Sequence, residues 1–112
     1  MEIKVKCKRP RYASGEFNFS KFEELFYWLV RIKGLSKGAI GVILYGIAKS
    51  GYYKSATARG FIDIECDFKD YFLAQDLGYK VGLLKTRNLG ESISKDRALA
   101  LQFARELDNR LI

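Results

Sequence analysis

The sequence predicts an α+β fold, a small and mostly antiparallel sheet packed by helices. Three observations carry that expectation. Ile62, Ile64, Cys66 and Phe68 alternate with Asp63, Glu65 and Asp67, the period of a strand with one buried and one solvated face. Ile3, Val5 and Cys7 alternate in the same way with Lys4, Lys6 and Lys8. Ala100, Phe103, Ala104, Leu107 and Leu111 recur instead at helical spacing, with Lys95, Arg97, Gln102, Arg105, Asp108 and Asn109 covering the remainder, as in an amphipathic helix.

A chain of 112 residues, 48% hydrophobic and 14% aromatic, is expected to form one domain, 1–112, with a core of its own. Its longest uncharged apolar run, Gly38 to Ala48, falls well short of the roughly 20 residues that span a bilayer, so no membrane partner is expected. Met1 leads straight into charged alternation, so no leader segment is expected and the cytoplasm is the predicted location. The two cysteines lack CxxC spacing and are expected as buried thiols on inward strand faces. There are no histidines, which excludes Ser-His and Cys-His mechanisms and the commonest metal ligand. No cofactor is predicted.

Taken in order, residues 2–8 form a strand whose lysine face is the natural neighbour of the acidic face of strand 61–68, because opposite charges stabilise cross-strand pairs. The direction of that pairing is open. Arg9-Pro10-Arg11-Tyr12-Ala13-Ser14-Gly15 is a loop, since proline removes a ladder donor and glycine frees the backbone. The helix 20–33 starts at a capping box, Ser20 with Glu23, and carries Phe22, Leu25, Phe26, Leu29 and Ile32 at helical spacing before stopping at Lys33-Gly34. The segment 37–49, capped by Ser36, completes an N-terminal helical hairpin. Its three glycines, Gly38, Gly41 and Gly46, are unfavourable in a helix, and they are expected to let it pack closely on the first helix. Gln75-Asp76-Leu77-Gly78 is predicted as a turn, residues 79–85 as a third strand, and 94–110 as the final helix, with Ser92 or Ser94 at its start.

The net charge of +7 is lopsided. Residues 1–56 hold eleven cations (Lys4, Lys6, Lys8, Arg9, Arg11, Lys21, Arg31, Lys33, Lys37, Lys49, Lys54) and four acids (Glu2, Glu16, Glu23, Glu24), whereas residues 57–112 hold nine of each sign. The whole surplus therefore sits in the N-terminal half, where a polyanion would be met. The residues expected to meet it are Arg9, Arg11, Tyr12, Lys37, Tyr52, Tyr53, Lys54 and Arg59: cations bind phosphates with counterion release, and tyrosines can stack unpaired bases. The predicted function is a small, basic, non-enzymatic nucleic-acid-binding protein that reads the phosphate backbone. DNA and RNA are both open as partners, and so is a homodimer. The alternatives are a protein-interaction module meeting an acidic partner, and a Mg²⁺-dependent nuclease using the carboxylates of residues 63–67, with Asp63, Glu65 and Asp67 as ligands.

Some short stretches resemble known motifs only in part. Phe61-Ile62-Asp63-Ile64-Glu65 resembles the first motif of DnaQ-type exonucleases, a family that needs further carboxylates on a much longer fold. Phe26 to Tyr45 is similar in its apolar positions to a helix-turn-helix, but its second helix offers no Arg, Asn or Gln to base edges. Gly38-Ala39-Ile40-Gly41 resembles the GxxG loop of KH domains, without a basic residue between the glycines.

Overall fold

A computed structural model of the chain describes residues 1–8, 14–32, 35–58, 60–85 and 96–111. The elements run β1 (Ile3–Lys8), β2 (Gly15–Phe19), α1 (Phe22–Leu29), α2 (Lys37–Ser50), β3 (Tyr52–Thr57), β4 (Gly60–Cys66), α3 (Tyr71–Lys80) and α4 (Arg97–Arg110). The strands make one antiparallel sheet of order β2-β1-β4-β3. The predicted pairing of the lysine strand with the acidic strand is present: Lys4 stands opposite Glu65 and Lys6 opposite Asp63.

The helices cover one face of this sheet. Ile3, Val5, Cys7, Ile62 and Ile64 point into a continuous core with Phe22, Leu25, Leu29, Ile40, Ile43, Leu44, Ile47, Phe103 and Leu107. Lys4, Lys6 and Lys8 point to solvent. Two layers suffice, because each strand has a single apolar side to bury. Cys7 and Cys66 are not bonded to each other. Cys7 pairs with Ile62 and Cys66 with Ile3, four residues apart along the ladder, so they stand on the order of 13 Å apart, too far to bridge.

Several expectations need correction. The third strand at 79–85 does not form. Asp70 accepts a hydrogen bond from the Leu73 N–H at 2.9 Å and starts α3, which buries Ala74, Leu77 and Gly78 and runs on to Lys80. The apolar Val81, Leu83 and Leu84 are buried in a tight turn around Gly82, whose φ is +78°; their spacing imitates a strand. The sheet takes its remaining strands from Gly15–Phe19 and Tyr52–Thr57. Phe17 and Phe19 do alternate with Glu16 and Asn18, a signal hidden by brevity and by the glycine.

The helical segment 37–49 is a helix, capped by Ser36 Oγ accepting from the Ala39 N–H at 3.1 Å. It ends at Gly51 in the left-handed region, φ +80°. It packs mainly on α3, α4 and β3, and α1 packs mainly on α4, so the N-terminal pair is not a tight hairpin. In α4 the cap is Asp96, accepting from the Ala98 N–H at 2.8 Å; Ser92, Ser94 and the Lys33-Gly34 stop lie outside the described residues.

The first helix starts differently from expectation. Ser20 bonds Glu24 rather than Glu23, its Oγ donating to Oε1 at 2.8 Å. The N-cap position is Lys21, which supplies no side-chain acceptor. Asp108 of α4 supplies it instead, accepting from the Phe22 and Glu23 N–H groups at 2.8 and 3.0 Å. Arg105, one turn earlier, donates its Nε–H to Glu23 at 2.9 Å. Replacing a capping acceptor with alanine costs about 0.5–2 kcal/mol, so Asp108→Ala should lower the unfolding free energy by that amount near neutral pH. Burial pushes the Asp108 carboxyl above its ordinary range, against the weaker pull of the Phe22 and Glu23 N–H groups. A carboxyl raised in this way holds its proton more tightly in the folded chain. Its contribution is complete below the unfolded value of about 4 and falls as pH rises through the folded value. Denaturant titrations should therefore show the gap between the native protein and Asp108→Ala narrowing from acid to neutral pH.

Among the described residues no helix is long and apolar enough to cross a membrane.

Candidate nucleic-acid interface

The face of the sheet turned away from the helices presents cross-strand rows. The registers place Asn18, Lys4, Glu65 and Tyr52 in one row, and Glu16, Lys6, Asp63 and Lys54 in the next. The third row holds Lys8, Phe61 and Ala56. Within the middle row the charges alternate in sign, so each carboxylate has ammonium neighbours across the strands.

Along the strands the charges do not alternate. Antiparallel pairing brings Glu2 beside Asp67: the Glu2 N–H donates to Asp67 Oδ1 at 3.1 Å, and the Asp67 N–H donates to the Glu2 carbonyl at 3.3 Å. Glu65 lies one row in from there. At the opposite end, Lys8 faces Phe61 and no acid stands in its row. One end of the open face is therefore acidic and the other basic. Parallel pairing of the same two strands would have mixed them.

The chain segments at the basic end add to this. Lys8 and Gly15 bracket the segment that carries Arg9, Arg11 and Tyr12, and Thr57 and Gly60 bracket the segment that carries Arg59. Pairing of Cys7 with Gly15, Lys8 with Phe61 and Thr57 with Gly60 puts both brackets at that end. Arg9, Arg11, Tyr12 and Arg59 themselves lie outside the described residues.

The other predicted site residues separate. Lys54 is exposed on the open face, one row from the basic end, and Tyr52, 56% exposed, is on the same face two rows away beside Glu65. Tyr53 points the other way, packing on the core close to Gly46 of α2. Lys37 begins α2 in the helical layer, so it does not share the sheet face with Lys54. A residue not singled out by its sequence is Phe61. It falls on the outer side of β4, half-buried and outside the core cluster. The signal was present: carried back one step from Ile62, the alternation puts Phe61 with Asp63 and Glu65.

The carboxylates of 63–67 do not converge. Asp67 binds the Glu2 backbone, while Asp63 is flanked by Lys6 and Lys54 across the strands. Among the described residues no group of three or more acids, cysteines or histidines could hold a metal ion. A dication at Asp63 would sit between ammonium groups that oppose it. Nor is Cys66 suited to nucleophilic chemistry: burial pushes its thiol upward, with the Phe68 N–H pulling less strongly the other way, and the thiol rather than the thiolate prevails at neutral pH.

The helix pair offers no groove reader. In α2, Gly38, Ile40, Gly41, Ile43, Leu44, Tyr45, Ile47 and Ala48 are buried, so this helix cannot enter a major groove, and Gly38 and Gly41 cannot clamp a nucleic-acid backbone.

No family model, curated protein or solved structure matches this chain.

Proposed function

We propose that this protein binds a nucleic-acid backbone at the basic end of its open sheet face. The observation that supports this is the strand register, which puts Lys8 in an end row without an acid, Lys6 and Lys54 in the next row on either side of Asp63, and at the same end the described residues that bracket the segments carrying Arg9, Arg11 and Arg59. Such a grouping binds phosphates by charge, with release of condensed counterions and little dependence on sequence.

Binding of labelled nucleic acid should weaken steeply between roughly 50 and 200 mM salt, as log Kobs falls linearly with log salt. Affinity that stays flat across that range, or no binding even at low salt, sinks the proposal. An acidic protein could meet the same end; capture of such a protein with no binding to any nucleic acid would favour that alternative.

A further inference from the structure

We infer that the basic end is a single-strand site, with Phe61 as the platform on which an unpaired base stacks. This rests on the backbone-binding proposal above and names the ligand class. Phe61 is an aromatic residue on the solvated face of β4, between Lys8 on one side and Ala56 on the other. Its diagonal neighbours on that face are Lys6 and Lys54, with Asp63 between them two residues along β4. It belongs to neither the core cluster nor the residues packed against it, and among the described residues no ring or cation stacks on it.

That combination has a chemical meaning. Phe61 is half-buried, and the part of its ring left on the solvated face is apolar surface that folding has not removed from water. A flat π surface with three ammonium groups around it does suit an unpaired nucleotide, whose base stacks while its phosphates meet the cations. Cross-strand neighbours stand about 5 Å away and diagonal ones about 7–8 Å, within reach of lysine side chains. Ala56 is too small to cover the ring. A duplex keeps its bases stacked inside and offers the ring nothing. Glu65 and Asp67 at the other end of this face, and Asp63 between Lys6 and Lys54, repel a strand's phosphates, so charge favours a path along the third row, past Lys8, Phe61 and Ala56.

The test is fluorescence anisotropy with the full chain, using a labelled single strand of roughly 16 nucleotides and the duplex made from it. The native protein should bind the single strand at least about ten-fold more tightly than the duplex, and Phe61→Leu should lose about ten-fold or more for the single strand only. Phe61→Leu keeps an apolar side chain on the strand without a π face, and Phe61→Tyr should restore the affinity. Circular dichroism of each variant confirms the fold. Equal affinity for strand and duplex, or Phe61→Leu binding the strand as well as the native protein does, overturns the stacking site while leaving the backbone proposal standing. Failure of the native protein to bind either ligand overturns both.

Discussion

Neutralising Lys6, Lys8 and Lys54 together by glutamine should reduce nucleic-acid affinity on the order of a hundred-fold at about 0.1 M salt. The magnitude follows from counterion release: each phosphate contact contributes about 0.7 to the slope of log Kobs against log salt for a single strand and about 0.9 for a duplex. Loss of three contacts therefore flattens that slope by about 2–3. The three side chains are exposed on the sheet face or at its end, and among the described residues none makes an ion pair within 4 Å. Their removal should leave the thermal midpoint nearly unchanged, since exposed charges contribute little to stability. Lys4→Gln, two rows away beside Glu65, and Lys80→Gln, already paired with Asp76 at 3.0 Å, are the controls and should change the slope far less. An equal loss from the controls would mean that net charge, not placement, governs binding.

Phe103→Ala should cost about 3–5 kcal/mol, the range for a large aromatic residue removed from a packed core. Phe103 is fully buried in α4 and its ring lies 6.4 Å from that of Tyr45 in α2. The neighbours cannot all collapse into the space, because they belong to separate helices held by their own caps. Tyr45 makes this worse: among the described residues its buried hydroxyl has no hydrogen-bond partner, so it sits beside the new cavity already under-satisfied. Set against the roughly 5–15 kcal/mol that holds a small domain together, the loss should show as a large drop in the denaturant midpoint. Phe72→Ala is the contrast. Phe72 is 78% exposed on α3, and its removal should stay within about 0.5 kcal/mol.

Much of the architecture was legible because it is local. Strands β1 and β4 and helix α4 declare themselves by period alone, and β1 and β4 also by the opposite signs of their outer faces. Ser36 and Gly51 mark α2 in spite of its glycines. The missed helix α3 shows the limit of such evidence. Tyr79, Val81 and Leu83 alternate like a strand, yet the Asp70 cap, the burial of Leu77 and the packing of Gly78 against Leu84 and Tyr45 decide for a helix. The cap of α1 was out of reach in a different way, because Asp108 lies more than eighty residues from the N–H groups it accepts.

The candidate site divides along the same line. From sequence come the faces: which lysines, which carboxylates and which aromatic residues look away from the core. Tertiary structure alone supplied the direction in which β1 meets β4, and with it the gathering of Glu2, Glu65 and Asp67 at one end of the sheet and the placing of Lys8 beside Phe61 at the other. The physical reason is that side-chain alternation is a property of each strand by itself and reads the same in either direction. Direction and register come from hydrogen bonds between strands some sixty residues apart, and which pairing forms depends on the helices that must close over one core with them.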